Sequence, residues 1–111
     1  MSSCIFCKIV NGEIPAQKVY EDKQFLAFKD IHPKANVHIL VIPKQHIVSL
    51  QEVDAQHKAL LGELTLLLNK VAEDAGLSDG FRTVVNAGQG GHQEVPHLHY
   101  HILGGGRLPA F

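Results

Sequence analysis

Eight apolar residues between positions 54 and 75 (Leu60, Leu61, Leu64, Leu67, Leu68, Val71, Ala72 and Ala75) recur at helical spacing, which predicts one long helix over 54–75 with a buried stripe. Asp54 is placed to cap its start and Gly76 to stop it. Elsewhere the period falls to two. Over 97–103 the chain reads His-Leu-His-Tyr-His-Ile-Leu, so a strand there sets His97, His99 and His101 on one face and Leu98, Tyr100 and Ile102 on the other. Residues 37–42 are almost continuously apolar, as a strand buried on both faces would be, with His38, Leu40 and Ile42 sharing a face. Residues 19–20 and 25–28 flank a polar Glu21-Asp22-Lys23-Gln24 turn and predict a hairpin. A loop follows over 30–36. A further strand is expected at 81–85, after the Asp79-Gly80 turn, and a flexible loop at Gly88-Gln89-Gly90-Gly91. Residues 4–10 predict a short helix capped by Ser2 or Ser3. This order predicts an α+β fold: one domain over 1–111, with a five-stranded, mainly antiparallel sheet, one long helix on one face and a short N-terminal helix. Open sheet edges make a homodimer the expected assembly.

Composition narrows the partners. The net charge is -1 with neutral histidines and no basic stripe is present, so nucleic acid is not an expected partner, while the phosphate of a small ligand remains possible. No apolar run approaches the length of a membrane span, and residues 1–10 lack the pattern of a secretory leader, so neither membrane association nor export is expected and the cytoplasm is the expected location. In that setting Cys4 and Cys7, spaced as CxxC, read as metal ligands or thiols rather than a disulfide framework.

The alternating histidines carry the chemistry. Imidazoles at i and i+2 on one strand can both ligate a metal. A neutral imidazole can equally attack phosphorus, its other nitrogen held by a hydrogen bond that fixes the tautomer. The residue types alone leave both open.

The segment His97-Leu98-His99-Tyr100-His101-Ile102-Leu103, followed by Gly104-Gly105, resembles the signature of the histidine-triad (HIT) family. The stretches Cys4-Ile5-Phe6-Cys7, Leu26-Ala27-Phe28-Lys29-Asp30-Ile31, His38-Ile39-Leu40-Val41-Ile42-Pro43, Val84-Val85-Asn86 and Gly91-His92-Gln93-Glu94-Val95 extend the likeness, which is nearest to the family's Hint branch. The resemblance implies a purine nucleoside phosphoramidase. His99 would be the nucleophile that forms a nucleotidyl-histidine intermediate, His101 would contact the phosphate, and His97 would complete the triad. Asp30 would accept the ribose hydroxyls of an AMP-like purine nucleotide. Phe6, Ile31 and Leu40 would wall the base pocket, with His38 as the fourth histidine, and Asn86, His92 and Gln93 would border the phosphate. Glu94 stands where animal Hint proteins have serine, and Pro96 where an aromatic is common. The resemblance further implies one structural zinc on Cys4, Cys7, His46 and His97, with no metal required for the chemistry. A nucleotide-binding regulatory module and a dinucleoside polyphosphate hydrolase are the alternatives.

Overall fold

The central strand organises everything else. In a computed structural model, which describes residues 3–111, β3 (Val37–Pro43) is buried from His38 onward and has strands on both sides. Around it lie α1 (Ile5–Val10), β1 (Lys18–Glu21), β2 (Phe25–Lys29), α2 (Lys58–Asp74), β4 (Arg82–Val85) and β5 (Tyr100–Gly104), with single 3-10 turns at Leu50–Glu52, Ala55–His57 and Gln89–Gly91. All pairings are antiparallel, in the order β1-β2-β3-β5-β4. The α+β architecture expected from the periodicity is the one found.

The period of two in β2 and β3 divides the core between the faces of the sheet. Phe25, Ala27, Ile39, Val41 and, from β5, Ile102 pack against Leu64, Leu67, Leu68, Val71 and Ala72 of α2. On the opposite face Leu26, Phe28, Leu40 and Ile42 pack against Cys4, Phe6 and Ile9 at α1. Each large side chain removed from water in this way stabilises the fold by about 1.5–3 kcal/mol. The six-residue α1 is too short to persist alone. Its place depends on Phe6 and Ile9, which carry it onto the sheet.

Of the boundaries that differ from the periodic reading, three bear on the site. The N-cap of α1 is Cys4, whose sulfur accepts the Cys7 N–H at 3.4 Å; Ser3 is not the cap, and Ser2 lies outside the described residues. Asp54 does cap, but it caps the 3-10 turn Ala55–His57, and the α-helix proper starts at Lys58. The last strand begins at Tyr100, so His97 and His99 lie ahead of the ladder. The register that pairs Val41 with Tyr100 would set Leu98 against Pro43, which has no N–H to donate. Leu98 N–H goes instead to the carbonyl of Ile47 at 2.7 Å. Among the described residues no helix is long and apolar enough to cross a membrane.

Candidate active site

Although the ladder stops short, the three imidazoles stay together. His101 pairs with Leu40 across β3 and β5 and rises from the α1 face of the sheet. The rings of His99 and His101 lie 5.1 Å apart, and Phe6 meets His97 and His99 edge-on at 5.9 and 5.2 Å. Departure from the sheet carries His97 inward, where it is fully buried, while His99 keeps 5% of its surface exposed.

The hydrogen bonds give each imidazole a tautomer, because a carbonyl can only accept and a backbone N–H can only donate. His99 Nδ1 lies 2.7 Å from the carbonyl oxygen of His97 and so carries the proton, leaving a lone pair on Nε2. His97 Nε2 lies 2.8 Å from the carbonyl oxygen of Pro43 and carries its proton there, leaving the lone pair on Nδ1. His38 Nδ1 accepts the Lys34 N–H at 3.0 Å, so its proton is on Nε2. That proton faces His101 Nδ1 at 2.8 Å and Asp30 Oδ2 at 3.4 Å. His101 Nδ1 is therefore the acceptor, and its proton is on Nε2.

Electrostatics keep this group neutral. Burial, then the adjacent His99 and His38 imidazoles, push His101 down to about 4, against a smaller opposing pull from Asp30. Burial lowers His38 below the usual imidazole range, although Asp30 again pulls the other way, and burial lowers His97 as well. A cluster of imidazoles lets few protons in, so at neutral pH His101 presents an uncharged N–H.

A pocket of about 260 Å³ opens in front of these rings and draws together Phe6, Asp30, Ile31, Leu40, Glu94, His99 and His101 from the sequence-predicted set. Ile31 stands at its rim, 85% exposed. Asp30 spends Oδ1 on the His32 N–H at 2.8 Å. A larger hollow of about 440 Å³ lies against α2, lined by Val37, Ile39 and Val71, and holds neither His99 nor His101; the chemistry belongs to the smaller one.

Asn86, His92 and Gln93 do not line that pocket. Asn86 follows β4 and is half-buried. His92, in a left-handed conformation (φ 62°), turns its side chain outward. Gln93 is a clamp. Its Oε1 accepts the Gly88 N–H at 2.8 Å, and its Nε2 donates to the carbonyls of Val48 and Val95 at 2.6 and 2.9 Å. Both amide hydrogens are thus spent on the protein, and the loop expected to be flexible is pinned. Gly88 suits that turn because its φ of +72° is a backbone conformation that L side chains rarely adopt.

Beneath the pocket, one ligand atom from each of Cys4, Cys7, His46 and His97 lies within 4.8 Å of the others. His97 Nδ1 is 3.4 Å from Cys4 Sγ and 3.6 Å from Cys7 Sγ, and His46 Nδ1 is 3.2 Å from Cys7 Sγ. Ligands of a tetrahedral zinc with two sulfurs and two nitrogens sit about 3.6 Å apart, from ordinary bond lengths. Because Pro43 holds the His97 proton on Nε2, the inward Nδ1 has the lone pair that a metal requires. Asp30, His38 and His101 form a second compact group. There the Lys34 N–H keeps the proton on His38 Nε2, so that group is built as a hydrogen-bonded chain and not as a metal cage.

Sequence reasoning missed the Lys34 amide and the carbonyls of Pro43, Ile47, Val48 and Val95 that hold these groups. Backbone partners leave no residue-type signal. Pro43, the last residue of β3, was the visible hint, for a missing donor marks where a ladder must end.

Comparison with known proteins agrees with this geometry. A family model described as the HIT domain matches residues 11–108. Protein HitA of Neisseria gonorrhoeae is 53% identical over 104 residues, spanning 94% of this chain and 97% of that protein. The crystal structure of a HIT family hydrolase from Legionella pneumophila Philadelphia 1 superposes with a TM-score of 0.93 at 46% identity, covering 96% of each chain. A zinc-bound histidine triad family protein from Mycobacterium smegmatis superposes with a TM-score of 0.77 at 38% identity, covering 91% of this chain and 73% of that one.

Proposed function

The chain belongs to the HIT family, and on that premise we propose that it is a hydrolase of the Hint type, cleaving the P–N bond of purine nucleoside 5'-phosphoramidates, adenosine first. The observation that carries the reading is the hydrogen bond of His99: Nδ1 lies 2.7 Å from the His97 carbonyl oxygen, which leaves the lone pair on Nε2 of a residue that lines the pocket with Asp30 and His101. Phe6, Leu40 and Ile31 take the base, and Asp30 takes the ribose through the oxygen it does not use in its own turn. His99 Nε2 attacks the phosphorus. The P–Nε2 bond forms, the P–N bond breaks, and its electron pair leaves with the amine, which takes a proton from solvent. The nucleotidyl-imidazolium keeps its Nδ1–H on the His97 carbonyl, which stabilises the new charge. The neutral Nε2–H of His101 donates to a phosphoryl oxygen. Water then attacks the phosphorus, loses the compensating proton, and restores His99.

The four residues beneath the pocket fit zinc by donor chemistry and spacing, and the zinc-bound mycobacterial relative supports that reading. When bound, the ion would supply a cross-link between α1 and the segment that leads into β5. His97 is then a ligand and a support for His99, and takes no part in proton transfer.

The test is intact mass spectrometry of a stopped reaction with adenosine 5'-phosphoramidate. A nucleotidyl adduct on His99 is expected, together with a loss of at least about a thousandfold in turnover in His99→Ala. Full activity in that variant would falsify the nucleophile assignment. A specificity constant far below the enzyme range on every phosphoramidate would favour the nucleotide-binding module instead.

A further inference from the structure

Glu94 is the one residue shared by three neighbouring hollows. It lines the nucleotide pocket with His99 and His101. It also lines an outer hollow of about 350 Å³ with Val48, Gly88, Gln89, His92, Gln93 and Pro96, and another of about 300 Å³ with Ser3, Cys4, Ile5, His46, Val48, Val95 and Pro96. Of the nucleotide-pocket lining, Phe6, Phe28 and Leu40 are buried while Glu94 is exposed, so the departing group of a seated nucleotide leaves on the Glu94 side, toward these two hollows. Among the described residues, no lysine or arginine lines either of them, and Glu94 supplies their only carboxylate. Its side chain is 79% exposed and its nearest ionic partner is His92 Nε2, 4.0 Å from Oε2. Among the described residues, and apart from the proposed zinc ligands Cys4 and His46, the lining of these two outer hollows therefore carries a single fixed charge, and that charge is negative.

We propose that Glu94 selects the departing group by charge, favouring amines that bear a second, cationic group and rejecting anionic ones such as a nucleoside polyphosphate. This deepens the phosphoramidase reading and rests on it. The bond changes are those of the reaction above, and Glu94 acts on the part of the substrate that leaves.

The test uses three adenosine 5'-phosphoramidates of a four-carbon amine whose far end is an ammonium, a methyl or a carboxylate. With the natural chain, kcat/KM should fall in that order. Ammonium should exceed carboxylate by about tenfold at low salt, the scale of a charge a few ångströms away across a wet groove, and less as salt rises. Glu94→Gln should bring that ratio within about twofold, and Glu94→Lys should invert it. An unchanged ratio in Glu94→Gln, or a flat order in the natural chain while the His99 adduct still forms, overturns the role of Glu94 alone. No His99 adduct with any of the three overturns the underlying reading as well.

Discussion

Replacing His101 with glutamine tests the electrostatics of the triad through stability. In the folded protein His101 is pushed down to about 4, whereas an unfolded chain restores the ordinary 6.5. Between those values the unfolded chain binds the proton and the native protein does not. Stability from this residue is thus fully present above pH 6.5 and is lost as pH falls toward 4. At about 1.4 kcal/mol per pH unit of displacement the full loss is about 3 kcal/mol. Between pH 7 and pH 4.5, allowing for partial exposure, about 2 kcal/mol is realised. Glutamine cannot take up the proton, yet its amide oxygen can still accept from His38 Nε2. Urea unfolding of both proteins at pH 7 and pH 4.5 isolates the term, since the carboxylates and the other imidazoles titrate in each. The natural protein should lose about 2 kcal/mol more than His101→Gln over that interval. Equal losses in the two would show that His101 is not held neutral and is not an uncharged phosphate donor.

Gln93→Ala should destabilise the fold by about 2–4 kcal/mol, because it removes three hydrogen bonds that close the Gly88 loop; unchanged urea unfolding together with weaker nucleotide binding would assign the amide to substrate. Protein purified without added metal should contain one zinc per chain by elemental analysis. Cys7→Ser should lose that zinc, melt at lower temperature and bind AMP more weakly, because Cys7 lies in the helix that carries Phe6; metal-free natural protein with an unaltered melting temperature in the variant would remove the zinc.

The helical stripe from Leu60 to Ala75, the hairpin and the buried central strand were all legible in the sequence, because each is a repeat of residue type with the period of its element. The alternation of His97, His99 and His101 with apolar residues was equally plain. The three rings stay together even where the strand itself is absent, because Phe6 meets both His97 and His99, and His99 meets His101. The parts of the site drawn from far along the chain were less visible. Gln93 looked like a phosphate donor by position, and its amide turned out to be bonded to Gly88, Val48 and Val95. His92, its neighbour, faces solvent.

The sequence by itself determined which groups this protein has for chemistry: imidazoles in a row, a CxxC pair and a carboxylate before the central strand. It could not say which nitrogen of each ring holds the proton. That depends on whether a carbonyl or an N–H stands opposite, and those backbone groups are the same in every residue. Pro43 and His97 turn their carbonyls toward His97 and His99, and Lys34 turns its N–H toward His38. Only the tertiary structure brings them there, and it leaves three alike histidines with different free atoms: a lone pair on Nδ1 of His97, a lone pair on Nε2 of His99 and an N–H on Nε2 of His101.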